Sequence, residues 1–260
     1  MEKIFIYTCI TGGYDSLMQP LLPAEGFEFI CFVQKGAGLG ERVGAWKIEE
    51  LPFGWNDPVL LSRCPKMNPQ TVLPEDSAWS LWIDGNIGII GAGIYELCRK
   101  LQADDVKYAG IRHPFSDCAY VECERCLKNR RESLWNLLRT VHFLRGKGYP
   151  EHAGMMENNV IFRKHNDPAV VEFDQWWWEC FVNYAHRDQL THGFALADTP
   201  SLKTTLLFPE GISARNHPDL VYVKHPAEPL TWLQRKIKYG LHKPARWVLH
   251  LYILLTRSRQ

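Results

Sequence analysis

The sequence lacks the features that would assign this 260-residue chain to a membrane-spanning, secreted or nucleic-acid-binding class. It contains no run of about 18 apolar residues, which excludes a membrane-spanning helix. The N-terminus, Met1-Glu2-Lys3, is followed by Ile4-Phe5-Ile6-Tyr7 without the apolar stretch and cleavage site of a secretory signal. The net charge is only +1 at pH 7, so no overall basic surface is available for nucleic acid. We therefore expect a cytoplasmic protein that does not bind nucleic acid.

Common catalytic signatures are missing as well. The chain has no GxxxxGK(S/T) phosphate loop, no HExxH zinc motif and no G-x-S-x-G nucleophile motif. Its composition, with 46% hydrophobic and 23% charged residues, is typical of a globular protein with a sizeable core. A chain of this length forms one large domain or two small ones.

The chain has eight cysteines, and their placement favours reduced thiols over disulfides. They are Cys9, Cys31, Cys64, Cys98, Cys118, Cys123, Cys126 and Cys180. Cys9 and Cys31 lie within apolar, strand-like runs, where a small apolar side chain fits a core. Cys123 and Cys126 form a C-x-x-C pair, but no second pair follows at the distance of a zinc site. Their spacing also fits one face of a helix, which we favour over zinc.

The central feature of the sequence is Trp82-Ile83-Asp84-Gly85-Asn86-Ile87, which lies between two apolar runs. It predicts a buried strand that ends at Asp84, a tight turn and a short second strand. An unpaired carboxylate at this place is costly, so something must compensate its charge. A divalent cation between the oxygens of Asp84 and Asn86 is one solution, because Gly85 lets the backbone bend closely. The alternative is an aspartate that caps the turn through its own backbone.

Apolar patterns along the rest of the chain alternate between strand-like and helical, which predicts an α/β protein. The predicted strands are residues 3–9, 27–33, 46–48, 106–112, 160–163, 204–208 and 220–223, and the predicted helices are residues 94–101, 119–145 and a third that begins at Asn166-Asp167-Pro168. The triplet Trp176-Trp177-Trp178 points in three directions on a helix, so we expect core packing by two of them and no sugar-stacking platform.

Two groups of polar residues follow strand-like or apolar runs, where α/β proteins bind ligands. Tyr14 and Asp15 follow the first strand, and the tyrosine could stack on a base that Asp15 hydrogen-bonds. Arg63 and Lys66 precede the Asp84 strand and could meet a phosphate, although solvated surface cations are the simpler interpretation. The residues alone do not decide whether either group binds a ligand.

The stretch Arg187-Asp188-Gln189-Leu190 lies at the junction of two helical runs. A helix N-terminus there could direct the charged side chains into a cleft. The same residues could equally be a capping cluster of no further function.

The last 31 residues, 230–260, differ from the rest of the chain. They hold seven Lys and Arg and no Asp or Glu, so residues 1–229 carry a net charge of −6. The apolar run Trp247–Leu255 lies among those cations and is too short to span a bilayer. This pattern predicts a segment that lies in the interface of an anionic membrane. A helix packed on the domain, an oligomer contact and a polyanion site are the alternatives.

The order of these motifs resembles a glycosyltransferase-like family that includes plant mucilage-related and turgor-regulation proteins and many bacterial proteins of surface-polysaccharide synthesis. The matching motifs are Tyr7-Thr-Cys-Ile-Thr-Gly-Gly-Tyr-Asp15, Cys31-Phe32, Arg63 with Lys66, Trp82-Ile-Asp-Gly-Asn-Ile87, His113-Pro114, Tyr120-x-Glu122, Val160-Ile-x-Arg163-x-His165, Trp177-Trp-Glu179 and Arg187-Asp-Gln-Leu190. They cover about residues 3–195, and the Ile-Asp-Gly-Asn and Arg-Asp-Gln-Leu stretches are the most specific.

The resemblance implies a GT-A-like fold, a Rossmann-type mixed sheet flanked by helices, that resembles glycosyltransferase family eight. It implies sugar transfer from a nucleotide-sugar, of the UDP class, to a polysaccharide or lipid-linked glycan, with Mn²⁺ or Mg²⁺ as cofactor. Such enzymes commonly hold the metal with Asp-x-Asp, which is matched here by Asp84-Gly85-Asn86. An amide thus replaces the second carboxylate and is a weaker ligand. A C-terminal histidine completes the metal site in related enzymes; His225 is the candidate here and His217 the second choice.

The resemblance also implies roles for individual side chains. The donor-binding set is Thr8, Tyr14, Asp15, Arg63, Lys66, Asp84, Gly85 and Asn158. The catalytic set is Arg187, Asp188, Gln189 and Glu157. Asp188 would bind sugar hydroxyls or act as a base, Gln189 would lie under the anomeric carbon, and Glu157 and Asn158 would contact the sugar or the acceptor.

We therefore predict a glycosyltransferase domain at residues 1–229 and a basic, amphipathic tail at 230–260 that attaches the enzyme to the inner membrane face. One alternative is a metal-dependent amidase of the ceramidase type, in which a metal-activated water is held by Asp84 and a histidine. A second is a nucleotide-sugar-binding module without catalytic activity, which Asn86 would permit.

Overall fold

The computed structural model describes residues 2–13, 16–224 and 242–257. Tyr14, Asp15 and His225 lie outside these residues, as do residues 230–241 and 258–260 of the basic tail. The predicted boundary between residues 229 and 230 also lies outside them and stays a prediction.

A mixed sheet of eight strands forms the centre of the molecule, with the order β3-β4-β2-β1-β5-β8-β7-β9. The strands are β1 (Ile4–Ile10), β2 (Phe27–Val33), β3 (Arg42–Val43), β4 (Trp46–Glu50), β5 (Trp79–Ile83), β6 (Ile87–Ile89), β7 (Tyr108–Arg112), β8 (Met156–Lys164), β9 (Thr204–Leu206) and β10 (Leu220–Tyr222). Strands β4, β2, β1 and β5 are parallel, and β8 is antiparallel to both of its neighbours, β5 and β7. Strands β6 and β10 form a separate antiparallel pair. The expected mixed sheet with flanking helices is confirmed.

Seven α-helices are described. They are α1 (Pro58–Met67), α2 (Gly93–Ala103), α3 (Ala119–Lys128), α4 (Leu134–Gly146), α5 (Pro168–Asn183), α6 (Asp188–Ala197) and α7 (His242–Leu255). The sequence patterns missed α1. Its start nevertheless has the usual features of a helix N-terminus. Asp57 caps the helix by accepting hydrogen bonds from the N–H groups of Val59 and Leu60, and Pro58 occupies the first turn.

The prediction of one long helix over residues 119–145 is wrong. The chain leaves the helix after Lys128, and Arg130 adopts a left-handed backbone with φ of 57°. Ser133 then caps α4 by accepting a hydrogen bond from the N–H of Asn136. Apolar residues recur at helical spacing on both sides of the break, which is why the pattern concealed it. The resulting loop carries Arg131 toward the site described below.

Alternating residues of the central strands build a core on each face of the sheet. Ile4, Ile6 and Leu81 pack toward α2. On the other face, Tyr7 and Trp82 pack against α1 and α5. A third core joins α3, α4, α6 and α7. All eight cysteines are free and buried, which confirms the prediction of reduced thiols.

Helix α7 contains the apolar run of the tail and packs Leu249 and Ile253 into that third core. One face of α7 is therefore packed on the domain, as one of the alternatives for the tail had it. Among the described residues, no helix is long and apolar enough to cross a membrane.

Candidate active site

A cleft of about 330 Å³ opens where β1 and β5 end side by side. Parallel strands present their carboxyl ends to the same edge of a sheet, which is where open α/β folds bind ligands. Asp84, Gly85 and Asn86 form one wall, and three arginines, Arg63, Arg131 and Arg187, line the remainder together with His186. The cleft is therefore strongly cationic around a single acidic turn. Thr8 is buried within β1, and Thr11 and Gly12, further along the chain, line the cleft instead.

Lys66 joins the two most specific motifs of the sequence. Its Nζ donates hydrogen bonds to Oδ1 of Asp84 at 3.1 Å and to Oδ2 of Asp188 at 2.6 Å, and only 1% of its side chain is exposed. The indole Nε1 of Trp82 donates to the same oxygen of Asp84 at 2.8 Å. The charge of Asp84 is thus compensated by an ammonium group of the protein itself. Lys66, which we expected at a donor phosphate, lies between the two carboxylates.

A buried ion pair fixes the end of α1 that presents Lys66. Arg163 of β8 binds Asp174 of α5 through two hydrogen bonds of 2.7 Å, and neither side chain is exposed. A second nitrogen of Arg163 donates to the backbone carbonyl of Lys66 at 2.8 Å. Buried charges persist only where they are paired and hydrogen-bonded, as they are here. The pair therefore ties α1, β8 and α5 together directly behind the site.

Asp188 is the first residue of α6, and Arg187 is its N-cap. Burial by itself raises the pKa of a carboxyl group, but the cations Lys66, Arg63 and Arg187 outweigh it and hold the pKa of Asp188 well below its usual range. Asp188 is therefore ionised at neutral pH and is a weak base. This favours the predicted contact with sugar hydroxyls over the alternative role as a base.

Gln189 and Glu157 lie beside this ion-paired cluster. The side-chain nitrogen of Gln189 donates to the backbone carbonyl of Glu157 at 2.8 Å, which leaves its amide oxygen for a ligand. Glu157 is buried, burial raises its pKa, and its Oε1 accepts from Nε of Arg215 at 2.8 Å. The guanidinium of Arg215 stacks over the ring of Tyr222. Arg215 had no sequence signal, because it reaches Glu157 from a distant loop.

The side-chain amide of Asn158 is buried and unpaired. Its side chain is 1% exposed, and neither its amide nitrogen nor its amide oxygen has a hydrogen-bond partner. Its backbone is left-handed, with φ of 59°. The adjacent Asn159 accepts the N–H of Asp84 through its backbone carbonyl at 2.9 Å. A buried amide without a hydrogen-bond partner costs free energy, and the side-chain amide of Asn159 is unpaired as well, so β8 holds two such amides beside the acidic turn.

The candidate metal ligands fit a divalent cation only in part. Asp84 offers a carboxylate, and Asn86 donates through its nitrogen to the carbonyl of Val223 at 2.9 Å, which leaves its amide oxygen as a ligand. His217 instead packs on Phe208 and accepts the N–H of Asp219. Within the described residues, no group of three His, Cys, Asp or Glu could hold a metal. A hard cation takes about six oxygen ligands, so the donor would have to supply most of them. The expected Mn²⁺ or Mg²⁺ stays a prediction.

The predicted residues thus fall into three groups. The structure brings together Arg63, Lys66, Asp84, Gly85, Asn86, Arg187 and Asp188, with Gln189, Glu157 and Asn158 adjacent. Thr8 lies beneath the cleft, and three others are outside the described residues. Arg131 was missed because its position depends on the break between α3 and α4.

Comparison with known proteins places the chain in a family. The sequence model of the TOD1/MUCI70 glycosyltransferase-like domain matches residues 1–208, and the chain therefore belongs to this glycosyltransferase-like family. Among solved structures, mouse xyloside xylosyltransferase 1 in its apo form is similar with a TM-score of 0.42 and 10% identity, over 79% of this chain and 84% of that chain. None of the curated protein sequences matches the chain.

Proposed function

We propose that this protein is a glycosyltransferase that moves a sugar from a nucleotide-sugar donor, of the UDP-sugar class, to a polysaccharide or lipid-linked glycan. The observation that carries the proposal is the juxtaposition, at one strand edge, of three arginines, the Lys66 ion-pair cluster and the unpartnered amide of Asn158. Anion-binding and hydroxyl-binding groups are thereby adjacent, as a sugar diphosphate requires. Membership of a glycosyltransferase-like family supports the same reaction class.

The arginines suit the diphosphate of the donor. Sugar transfer breaks the bond to the nucleoside diphosphate, so negative charge develops on the leaving phosphate oxygen. Fixed cations that already face that position stabilise the charge without reorganising. Arg63 is contributed by α1, Arg131 by the loop before α4 and Arg187 by the N-cap of α6, so the three approach from different elements.

The polar groups beside the acidic turn suit the transferred sugar. Hydroxyl groups both donate and accept hydrogen bonds, and the amide of Asn158 offers one nitrogen and one oxygen for that purpose. The ionised carboxylate of Asp188 would accept from a sugar hydroxyl, and the side chain of Gln189, the next residue, is held by its hydrogen bond to the carbonyl of Glu157. A bound divalent cation would be held by Asp84 and Asn86 and would supply Lewis-acid neutralisation of the diphosphate.

A binding module without transfer activity remains the second candidate, because the amide of Asn86 replaces a carboxylate at the expected metal position. The amidase alternative has less support, because the sequence contains no HExxH or G-x-S-x-G motif.

Thermal unfolding with a panel of nucleotide sugars, with and without Mn²⁺, tests the proposal. A ligand that binds only the native state raises the unfolding midpoint by mass action. We expect a shift with one UDP-sugar, and Asp84→Ala should remove the Mn²⁺-dependent part of it while the protein remains folded. No shift with any nucleotide would contradict the donor site. A shift without sugar release or transfer would identify the binding module.

A further inference from the structure

Helix α7 presents apolar side chains on two opposite faces, one toward the core and one toward the solvent. Leu249 and Ile253 face the core. On the opposite side, where a soluble helix normally presents polar residues, Trp247 is 66% exposed and Leu255 is 83% exposed. The exposed apolar side chains of α7 are Trp247, Val248, Leu251, Leu254 and Leu255. Their spacing of one, four, seven and eight residues along a helix makes them a continuous stripe.

Helix α4 extends this stripe. Trp135, in its first turn, is strongly exposed, and we call Trp135 together with the five exposed side chains of α7 the apolar ridge. Between the two helices lies a groove of about 730 Å³, with Leu138, Phe143 and Val248 among its apolar residues. A contiguous exposed apolar surface of this kind marks an interaction site, because single exposed apolar residues are otherwise scattered.

The charges around the ridge identify its partner. Neither α4 nor α7 contains an Asp or Glu. Arg139 and Lys147 line the groove, and Lys243 and Arg246 lie at the start of α7. Glu124 of α3 is the one acidic residue that lines these two pockets, and it hydrogen-bonds His250 of α7. An apolar stripe with aromatic residues and basic flanks is the pattern of a surface that enters the headgroup region of an anionic bilayer. The two pockets carry four cations, Arg139, Lys147, Lys243 and Arg246, against one carboxylate, so their charge is complementary to an anionic surface.

The end of α3 connects the ridge to the candidate cleft along the chain. Helices α4 and α7 run in the same direction, because His142 hydrogen-bonds Tyr252 and Arg145 donates to the carbonyl of Ile253. The start of α7 is therefore next to the end of α3, where Leu127 shares a pocket with Trp247. Arg131 of the cleft follows Leu127 by four residues. Four residues of chain therefore separate a residue that contacts the ridge from a residue that lines the cleft.

We propose that the apolar ridge docks the protein on an anionic lipid bilayer, with the groove between α4 and α7 receiving a lipid acyl chain. The basic rim of the groove then meets the lipid phosphate. Docking places the cleft at the level where the head of a lipid-linked acceptor is found. The docking itself does not require that the protein transfers sugar, so it can be tested separately.

The test is flotation of the full-length protein with vesicles of equal parts phosphatidylcholine and phosphatidylglycerol. The test variant is Trp247→Glu/Leu251→Glu. The matched control is Phe115→Glu/Leu39→Glu, which makes the same charge change at two exposed apolar residues elsewhere. Wild type and control should float, and the test variant should lose about 100-fold or more in vesicle partition. Leu255→Glu, at the most exposed position of α7, provides a second variant that removes no core contact and should show a smaller loss.

Three outcomes would overturn the proposal. Wild-type protein that stays at the bottom of the gradient with these vesicles shows that the ridge does not bind lipid. Test variants that float like wild type place the lipid contact elsewhere. A wild-type dimer in light scattering that becomes a monomer in Trp247→Glu/Leu251→Glu, without vesicle binding by either, assigns the ridge to a second copy of the chain. Circular dichroism and the unfolding midpoint establish that each variant is folded.

Discussion

Replacement of Lys66 by Met tests the central cluster most directly. The change keeps most of the side-chain volume but removes the ammonium that both Asp84 and Asp188 accept. Removal of one partner from a buried ion pair costs about 3–5 kcal/mol, because a charge remains buried without compensation. The side chain of Asp84 is 26% exposed, so water can solvate part of its charge once the ammonium is gone. We therefore expect the lower end, about 3 kcal/mol, which is a large fraction of the total stability of a typical domain.

The loss should depend on pH in a defined direction. The folded-state pKa of Asp188 lies below its unfolded value, so its ionised form stabilises the folded state above the ordinary carboxyl pKa of about 4. That contribution is lost as the pH falls through the folded-state pKa. Lys66→Met removes the cation that contributes most to the lowered pKa of Asp188. The difference in unfolding free energy between wild type and variant should therefore narrow as the pH is lowered below about 4.

Urea unfolding measures this difference, and Lys107 provides a matched control. Lys107 also lies between two aspartates, Asp105 at 2.7 Å and Asp167 at 3.3 Å, but 31% of its side chain is exposed. Surface pairs of this kind contribute at most about 1 kcal/mol, so Lys107→Met should have little effect. Equal losses in both variants, or a loss in Lys66→Met that grows at acid pH, would refute the reasoning.

Two further predictions concern Asn158 and His192. Asn158→Gly should leave stability unchanged or raise it by about 1 kcal/mol, because glycine accepts φ of 59° and the unpartnered amide is removed. The same variant should show a smaller increase of the unfolding midpoint when the nucleotide-sugar is added. Burial lowers the pKa of His192 to about 3, so the free energy of unfolding should fall as the pH drops below about 6.5, where the histidine of the unfolded chain takes up a proton. In urea unfolding between pH 6 and 4, His192→Gln should reduce the dependence of the unfolding free energy on pH by about 1.4 kcal/mol per pH unit. An unaltered donor shift in the first variant, or an unaltered slope in the second, contradicts the corresponding assignment.

The sequence was sufficient for the strands and for the two most specific parts of the site. Residues 82–87 form a strand, a turn and a second strand, as predicted, and Asp188 begins α6, with its N-cap Arg187 in the cleft, which is one of the two arrangements that the sequence left open. Both are local features, in which apolar periodicity and a turn glycine determine the backbone. The start of α1 was also available, since Asp57-Pro58 repeats the Asp167-Pro168 signature that was used correctly for α5.

What the sequence did not predict involves contacts between distant parts of the chain. The interpretation of Lys66 as a solvated surface cation is wrong, because nothing local shows that its side chain is buried against a residue 122 positions away. Arg131 reaches the cleft only because the chain turns at Arg130, and Arg215 meets Glu157 across 58 residues. Burial and long-range pairing follow from the packing of whole elements, which periodicity does not describe.

The charges of the cleft bear on how much a metal has to contribute. Lys66 balances one of the two carboxylates that it joins, which leaves one negative charge in the cluster. The three arginines that line the cleft then bring the local balance to +2. A nucleoside diphosphate sugar carries about two negative charges, so the side chains alone can balance the donor. On this account the arginines supply most of the counter-charge, and a cation held by Asp84 and the weaker amide ligand Asn86 would strengthen donor binding without being its main source.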